Sequence, residues 1–275
     1  MSYPTKVAFF GATGGCAGHC LASTLNAGID CVALARTPAK LTKAMKEKGV
    51  SSKALDQHLR IIEGNVRDVD AVKEALQLDG SVVDAIVSGI GGVPKLQWSI
   101  IRPVVLTDTT ICQDAGSTIL QALAELKSAK KPTLINVSTT GISPKGKPRD
   151  VPILYSMLYH WLLASPHEDK KILEQRLAQH VQLPEGLRRI EAYVNVKPTL
   201  LFDGDSLGLG TVREGVDDQP AVGYTIRRKD VGLWMFERLV RNGVRREWMN
   251  RSPLGAVVQR YVLVFGAVSV SFSIV

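Results

Sequence analysis

The first apolar run of the chain, Val7-Ala-Phe-Phe10, stops at Gly11 and gives way to small residues through Gly18. From Cys16 onward the pattern turns helical: Leu21, Leu25 and Ala27 recur at helix-like spacing before Gly28. A short run of β-formers, a glycine turn and an amphipathic stretch predict strand, tight turn and helix. Ile29-Asp-Cys-Val-Ala-Leu-Ala35 predicts a second buried strand, and Pro38 opens the helix after it. Leu59-Arg-Ile-Ile-Glu-Gly64 predicts a third strand, with a helix over 70–78. Val82-Val-Asp-Ala-Ile-Val87 predicts a fourth. A helix over 114–130, with apolar positions at Ile119, Leu120, Leu123 and Leu126, leads to a fifth strand, Thr133-Leu-Ile-Asn-Val-Ser138. Strands alternating with helices imply a parallel sheet with right-handed crossovers.

The second half is less regular. Residues 93–112, with Trp98, Arg102 and Pro103, predict a rim over a site, and the Pro/Gly-rich stretch 141–150 predicts a loop. Residues 151–163 are strongly apolar and carry Tyr155, Tyr159, His160 and Trp161. His167-Glu-Asp-Lys-Lys-Ile-Leu-Glu174 predicts a helix start with acidic residues early, as the helix dipole prefers. Tyr193-Val-Asn-Val-Lys-Pro198 predicts a sixth strand and Gly223-Tyr-Thr-Ile226 a short one; Asp230 is placed to cap a helix over 231–240. After Arg260 no charge appears, and Val268, Val270, Phe272 and Ile274 alternate with serines, the period of a half-buried strand. A membrane anchor is the rival reading, weakened by Gln259, Arg260 and the serines. The organisation is therefore one domain over 1–250, its substrate-side elements mainly at 141–230, and an apolar tail over 251–275.

The glycine turn carries the first chemistry. Gly11 allows the sharp bend, Gly14 lets a pyrophosphate approach the main chain, and Ala17 is small enough for helix and strand to pack closely. Thr13, Gly15 and Cys16 complete the turn and the first amides of the helix, whose dipole favours phosphate. A plain connecting turn is the simpler account, but the strand before and the helix after are the context a dinucleotide site requires. The fold class is thus α/β, a Rossmann-type doubly wound parallel sheet with a small C-terminal substrate lobe. At the end of the second strand an NAD site usually carries Asp or Glu; this chain has Arg36-Thr-Pro-Ala-Lys40. Arg36 and Lys40 suit a 2′-phosphate, which favours NADP over NAD, unless both are merely solvated charges. Asn65 and Val66 lie where adenine contacts are expected, Asn65 equally suiting a turn cap. Ser88 and Gly89, small residues at the end of the fourth strand, let a cofactor lie across it.

Composition narrows the partners. The 275 residues carry 45% hydrophobic and 22% charged residues and a formal net charge of +8, yet no basic run exceeds three residues and aromatics are few, which argues against nucleic acid as a partner. The four cysteines, Cys16, Cys20, Cys31 and Cys112, show neither a C-x-x-C pair nor a metal spacing, so free thiols and no metal are expected. The N-terminus has no apolar signal region, and the chain reads as cytoplasmic, with no membrane partner and a monomeric or homodimeric state.

With these motifs in place the chain resembles an atypical short-chain dehydrogenase of the NmrA-like, NAD(P)-binding group. The matching pieces are Gly11-Ala-Thr-Gly-Gly-Cys-Ala, Leu34-Ala-Arg-Thr-Pro-Ala-Lys-Leu41, Gly64-Asn-Val66, Val196-Lys-Pro-Thr-Leu200 and Tyr224-Thr-Ile-Arg-Arg-Lys-Asp-Val231. It is similar to fungal members of the averufin oxidase A family, which tailor aromatic polyketides such as sterigmatocystin and aflatoxin precursors. The resemblance implies a nicotinamide cofactor and an oxidoreductase of secondary metabolism acting on a small aromatic molecule. The chain departs from the familiar Tyr-x-x-x-Lys pair, because Tyr155 is followed four residues later by Tyr159. Related reductases without the pair use a lysine in an aromatic-x-x-Lys context, and His167-Glu-Asp-Lys170 is similar. Lys170 is the candidate for the nicotinamide ribose and for a substrate oxygen; Lys171 is its alternate, and a solvated lysine supported by Glu174 at i+4 is the simpler account. Ser138 is expected in the crevice, bonding a carbonyl or phenol, or else capping its strand. Tyr155 is a candidate donor to substrate, or a core residue with its hydroxyl satisfied. Trp98, Tyr155, Tyr159 and Trp161 suit a flat apolar wall for an aromatic ligand, or ordinary packing. The rival function is an NmrA-like NADP-binding redox sensor without turnover, and a third is non-redox rearrangement on the same fold.

Overall fold

Alternating side chains along two neighbouring strands divide the molecule into two cores. In the computed structural model β1 (Lys6–Phe10) sends Val7 and Phe9 into one core and Ala8 and Phe10 into the other. Its neighbour β2 (Asp30–Ala35) sends Cys31, Ala33 and Ala35 to the first and Val32 and Leu34 to the second. Burial on both faces is what a parallel sheet between two helical layers requires. With β3 (Leu59–Glu63), β4 (Ala85–Ser88), β5 (Thr133–Val137) and β6 (Ala192–Val196) they form a six-stranded parallel sheet ordered β6-β5-β4-β1-β2-β3. The structure describes residues 4–92, 94–96, 104–142, 146, 148–150, 164–252 and 254–257. The expectations for Trp98, Arg102, Pro103, Tyr155, Tyr159, His160, Trp161 and the tail beyond 257 lie outside them.

Helices α1 (Cys16–Asn26), α2 (Pro38–Glu47) and α3 (Ser52–His58) contribute to the first core; α4 (Val69–Ala75), α5 (Ile111–Leu126) and α6 (Ala164–His180) contribute to the second. Helix α7 (Arg228–Met235) returns to the first core, burying Val231, Trp234 and Met235. A smaller sheet, ordered β7-β9-β10-β8, is built from β7 (Leu200–Phe202), β8 (Val212–Gly215), β9 (Thr225–Arg227) and β10 (Leu254–Val257). The chain just past residue 250 is therefore part of the fold: Arg251 bridges Val194 beside β6 before β10 begins.

Several boundaries move for identifiable reasons. The fourth strand starts at Ala85, because Ser81–Val82 folds back on Gln77–Leu78 through Asp79 and Gly80, both at positive φ. This hairpin also ends α4 at Ala75. Helix α5 begins at Ile111 and ends at Leu126, before Lys127 in the left-handed conformation (φ 49°). Helix α6 starts at Ala164, so its first turn holds no acidic residue. Asp169 is instead buried and caps α5 from outside, accepting the Cys112 amide at 2.8 Å and the Gln113 amide at 3.0 Å. Asp230 likewise is no cap of its own helix: it is buried inside the first turn of α7, which starts at Arg228, and accepts the Ser206 hydroxyl and the Leu207 and Gly208 amides. That carboxylate fastens the loop after β7 to α7.

Replacing Asp169 by Ala strands two amides at the buried end of α5. It should cost about 2 kcal/mol of stability, read as a lower midpoint in urea unfolding with an unchanged slope.

Candidate functional site

The turn after β1 is set by contacts that leave no room for side chains. Gly11 has φ 74°, and a Cβ on it would sit 2.8 Å from the carbonyl carbon of Gly89. The Gly89 amide donates to Phe10 O at 2.8 Å, so the ends of β1 and β4 are held together just where the turn begins. On its other side Gly89 meets α1: a Cβ there would lie 2.5 Å from that of Ala17. The small residue expected at position 17 is thus needed against β4. Gly15 is glycine for a different reason. A Cβ on it would lie 2.1 Å from Cδ of Arg228, whose buried guanidinium pairs with Asp203 at 3.1 Å.

Helix α1 starts at Cys16, with Gly15 as its N-cap, no side-chain cap and no acidic residue in its first turn. Positive charge stands close by: burial pushes the Cys16 thiol up to about 12, and Arg228 and Lys170 are the charges that oppose the shift. An uncapped helix start behind a glycine turn, with cations near it, fits a phosphate. A cavity of about 620 Å³ opens over this turn. It lies across the carboxyl ends of β1, β2, β3 and β4, where the strand order reverses on either side of β1, which is the place an open α/β sheet offers a ligand.

Eight of the residues expected at the cofactor line this cavity: Gly11, Thr13, Gly14, Arg36, Lys40, Asn65, Val66 and Gly89. Gly15, Cys16, Ala17, Ser88, Ser138 and Lys170 do not; Cys16, Ala17 and Ser88 are buried behind the wall. Arg36, just past β2, and Lys40, in the first turn of α2, are exposed and have no carboxylate partner among the described residues. Asn65 lines the cavity and its Oδ1 accepts the Arg67 amide at 3.1 Å, the turn role expected of it. Arg67 reaches across the mouth, holding Asp108 at 2.6 Å and Asp114 at 2.7 Å. Pattern reading had no means of finding this strap, whose partners lie in a distant segment of the chain.

A second group gathers beyond β5. Lys170 is buried and donates to Val137 O at 3.0 Å and Ser138 O at 3.4 Å, so the two candidates meet at the strand end. Its neighbour Lys171 is exposed. Tyr155 lies outside the described residues. Glu174 does not support Lys170 from i+4 as expected; it accepts the Ser138 hydroxyl on one oxygen and Lys197 Nζ at 3.0 Å on the other. Lys197 is 1% exposed and also faces Asp217 at 3.8 Å. Burial holds the Glu174 carboxyl above the ordinary glutamate range, against the opposing effects of Lys197 and Ser138. All four cysteines are free and buried, and among the described residues no acidic, His or Cys cluster suits a metal and no helix is long and apolar enough to cross a membrane.

Known proteins identify the family. Residues 11–241 match a family described as NAD(P)H-binding. Reductase pytE of Aspergillus terreus is 44% identical over 260 residues, covering 91% of this chain and 97% of that protein. Oxidase pynE of Aspergillus niger is 36% identical with the same two coverages. Among solved structures, a short-chain dehydrogenase/reductase from Veillonella parvula in complex with NADP has a TM-score of 0.61 at 13% identity, covering 92% of this chain and 94% of that one; at that identity the likeness concerns the fold.

Replacing Gly11 by Ala forces a methyl against the β4 end at an unfavourable φ. It should weaken NADPH binding at least about tenfold, equivalent to roughly 1.4 kcal/mol, as measured by titrating the tryptophan fluorescence.

Proposed function

The chain belongs to this NAD(P)H-binding family and is an oxidoreductase, and from that premise we propose that it works with NADP(H) on a polycyclic aromatic substrate. The observation that carries the cofactor choice is the turn from β2 into α2, where exposed Arg36 and Lys40 line the cavity without carboxylate partners among the described residues. A ribose 2′-phosphate supplies the charge these two side chains lack, and the Arg fork can hold it through two oxygens. The pyrophosphate then lies over Gly11, Thr13 and Gly14 against the start of α1, with Asn65 and Val66 beside the adenine. Gly15, Cys16, Ala17, Ser88 and Gly89 shape the turn and the strand end on which it rests.

The bound nicotinamide supplies or accepts the hydride. The protein's share is position and proton movement. Lys170, anchored on the end of β5, holds the ribose and a substrate oxygen; Ser138 and Tyr155 complete the polar contacts. The substrate class rests on the resemblance to fungal tailoring enzymes of the averufin oxidase A family, within the NmrA-like atypical dehydrogenases; the names of the two Aspergillus relatives bear on the oxidoreductase reading alone. We place the protein in fungal secondary metabolism of the mycotoxin type, in the cytoplasm, as a monomer or homodimer.

Two outcomes test this reading. In the Arg36→Ala/Lys40→Ala protein the dissociation constant for NADPH should rise about tenfold or more, with NADH changed by less than about threefold. Equal losses for both nucleotides would reject the 2′-phosphate assignment. Lys170→Ala should lower kcat for an aromatic carbonyl by about a hundredfold while nucleotide binding persists. Unchanged turnover would remove Lys170 from the chemistry.

A further inference from the structure

Four polar side chains from four different segments make one line at the end of β5, buried except at Asp217. Ser138 follows β5, Glu174 lies on α6, Lys197 follows β6, and Asp217 sits in the loop after β8. Ser138 is 2% exposed and Lys197 1%, whereas the Asp217 side chain is 27% exposed and so touches solvent. The line therefore runs from the surface to the strand end beside Lys170. Both Glu174 oxygens are engaged, one by the Ser138 hydroxyl and one by Lys197.

We infer that Ser138, Glu174 and Lys197 form a proton relay serving the reacting oxygen of the substrate, with Glu174 as the proton store. This rests on the oxidoreductase reading above and extends it to a proton path in a chain without Tyr-x-x-x-Lys. In carbonyl reduction, the nicotinamide's hydride forms the new C–H bond and the C=O π bond opens. The oxygen takes the Ser138 hydroxyl proton as Ser138 takes the proton of the Glu174 carboxyl. Glu174 is left as a carboxylate opposite Lys197, and solvent returns a proton past Asp217. Alcohol oxidation runs the same chain backward: the substrate hydroxyl gives its proton to Ser138, Ser138 passes its own to the Glu174 carboxylate, and hydride leaves to the oxidised nicotinamide.

The groups facing Glu174 set its proton affinity. Lys197 favours the carboxylate, Asp217 disfavours it, and burial outweighs both, so the carboxyl holds its proton to higher pH than an exposed glutamate. Tyr193 on β6 also faces it; its phenol is pushed up to about 12 by burial and by Asp217 and Glu174, and it stays neutral. A merely structural ion pair would share these contacts but would not move protons during turnover.

The test uses the full chain and two readouts. Infrared titration of the nucleotide-free protein should show a carboxylic-acid band persisting above the ordinary glutamate range. That band should be absent in Glu174→Gln and should persist to still higher pH in Lys197→Met, which removes the opposing charge. With NADPH and phenanthrenequinone as the probe, Glu174→Gln and Ser138→Ala should each lower kcat about a hundredfold. Both should flatten its pH profile while leaving the KM for NADPH within about twofold. A band unaffected by Glu174→Gln, or wild-type kcat and pH profile in Ser138→Ala, overturns the relay. Failure of the unsubstituted protein to reduce the probe counts against the substrate reading instead, and absence of the infrared band then still overturns the relay.

Discussion

The approach of two strand ends through Gly11 and Gly89, with Ala17 closing on the second, is the contact on which the remainder of the molecule depends. It brings main chain against main chain at the reversal of strand order, where any Cβ at either glycine would overlap its neighbour. Close contact has two consequences. Helix α1 is drawn against the sheet with its first amides uncapped, and the ground above the turn stays open as a cavity. Arg228 seals the turn from behind, because only a glycine at position 15 admits its side chain. The phosphate end of the site is thus built from absent side chains, and one residue of α7 serves as its rear wall.

The reacting end is built the opposite way, from buried polar groups. The inward face of α6 carries Asp169, Lys170, Leu173, Glu174 and Leu177, so polar and apolar residues share one stripe. Asp169 is used on α5, Lys170 on the carbonyls ending β5, and Glu174 on Ser138 and Lys197. One helix therefore fixes the position of Lys170 through its neighbours' bonds, and the cap on α5 also positions the candidate lysine.

This division explains what could be read in advance. Buried parallel strands are apolar runs and glycine turns have few explanations, so the six strands, their order-generating alternation and the cavity's Gly11, Gly14, Arg36, Lys40 and Asn65 were legible from local pattern. The charged network was not. Helical spacing places Lys170 and Glu174 on one face, and pattern alone takes that face for solvent. Inside the protein the same spacing points both side chains at strand ends. A signal did exist: Leu173 and Leu177 share the stripe, and Lys197 breaks the otherwise uncharged Tyr193-Val-Asn-Val196 run. Asp230 misled for a related reason, since a residue suited to cap its own helix caps a distant loop when it is buried.

Energetics bear on why such a network is present. A buried ion pair gains little over apolar residues of the same volume, because desolvation offsets most of the attraction. Glu174 follows this rule: burial outweighs Lys197 at 3.0 Å and the Ser138 hydroxyl, and its carboxyl is held above the ordinary range. The folded protein therefore binds more protons there than the unfolded chain. Its stability falls as pH rises from the ordinary glutamate range through the raised one. At neutral pH, an ionised Glu174 thus costs the fold stability, while removing it would leave Lys197 with Asp217 at 3.8 Å as its carboxylate neighbour. A group that is expensive when charged and bonds to the hydroxyl beside Lys170 is poorly accounted for by folding. It is well accounted for by a need to exchange protons at that hydroxyl.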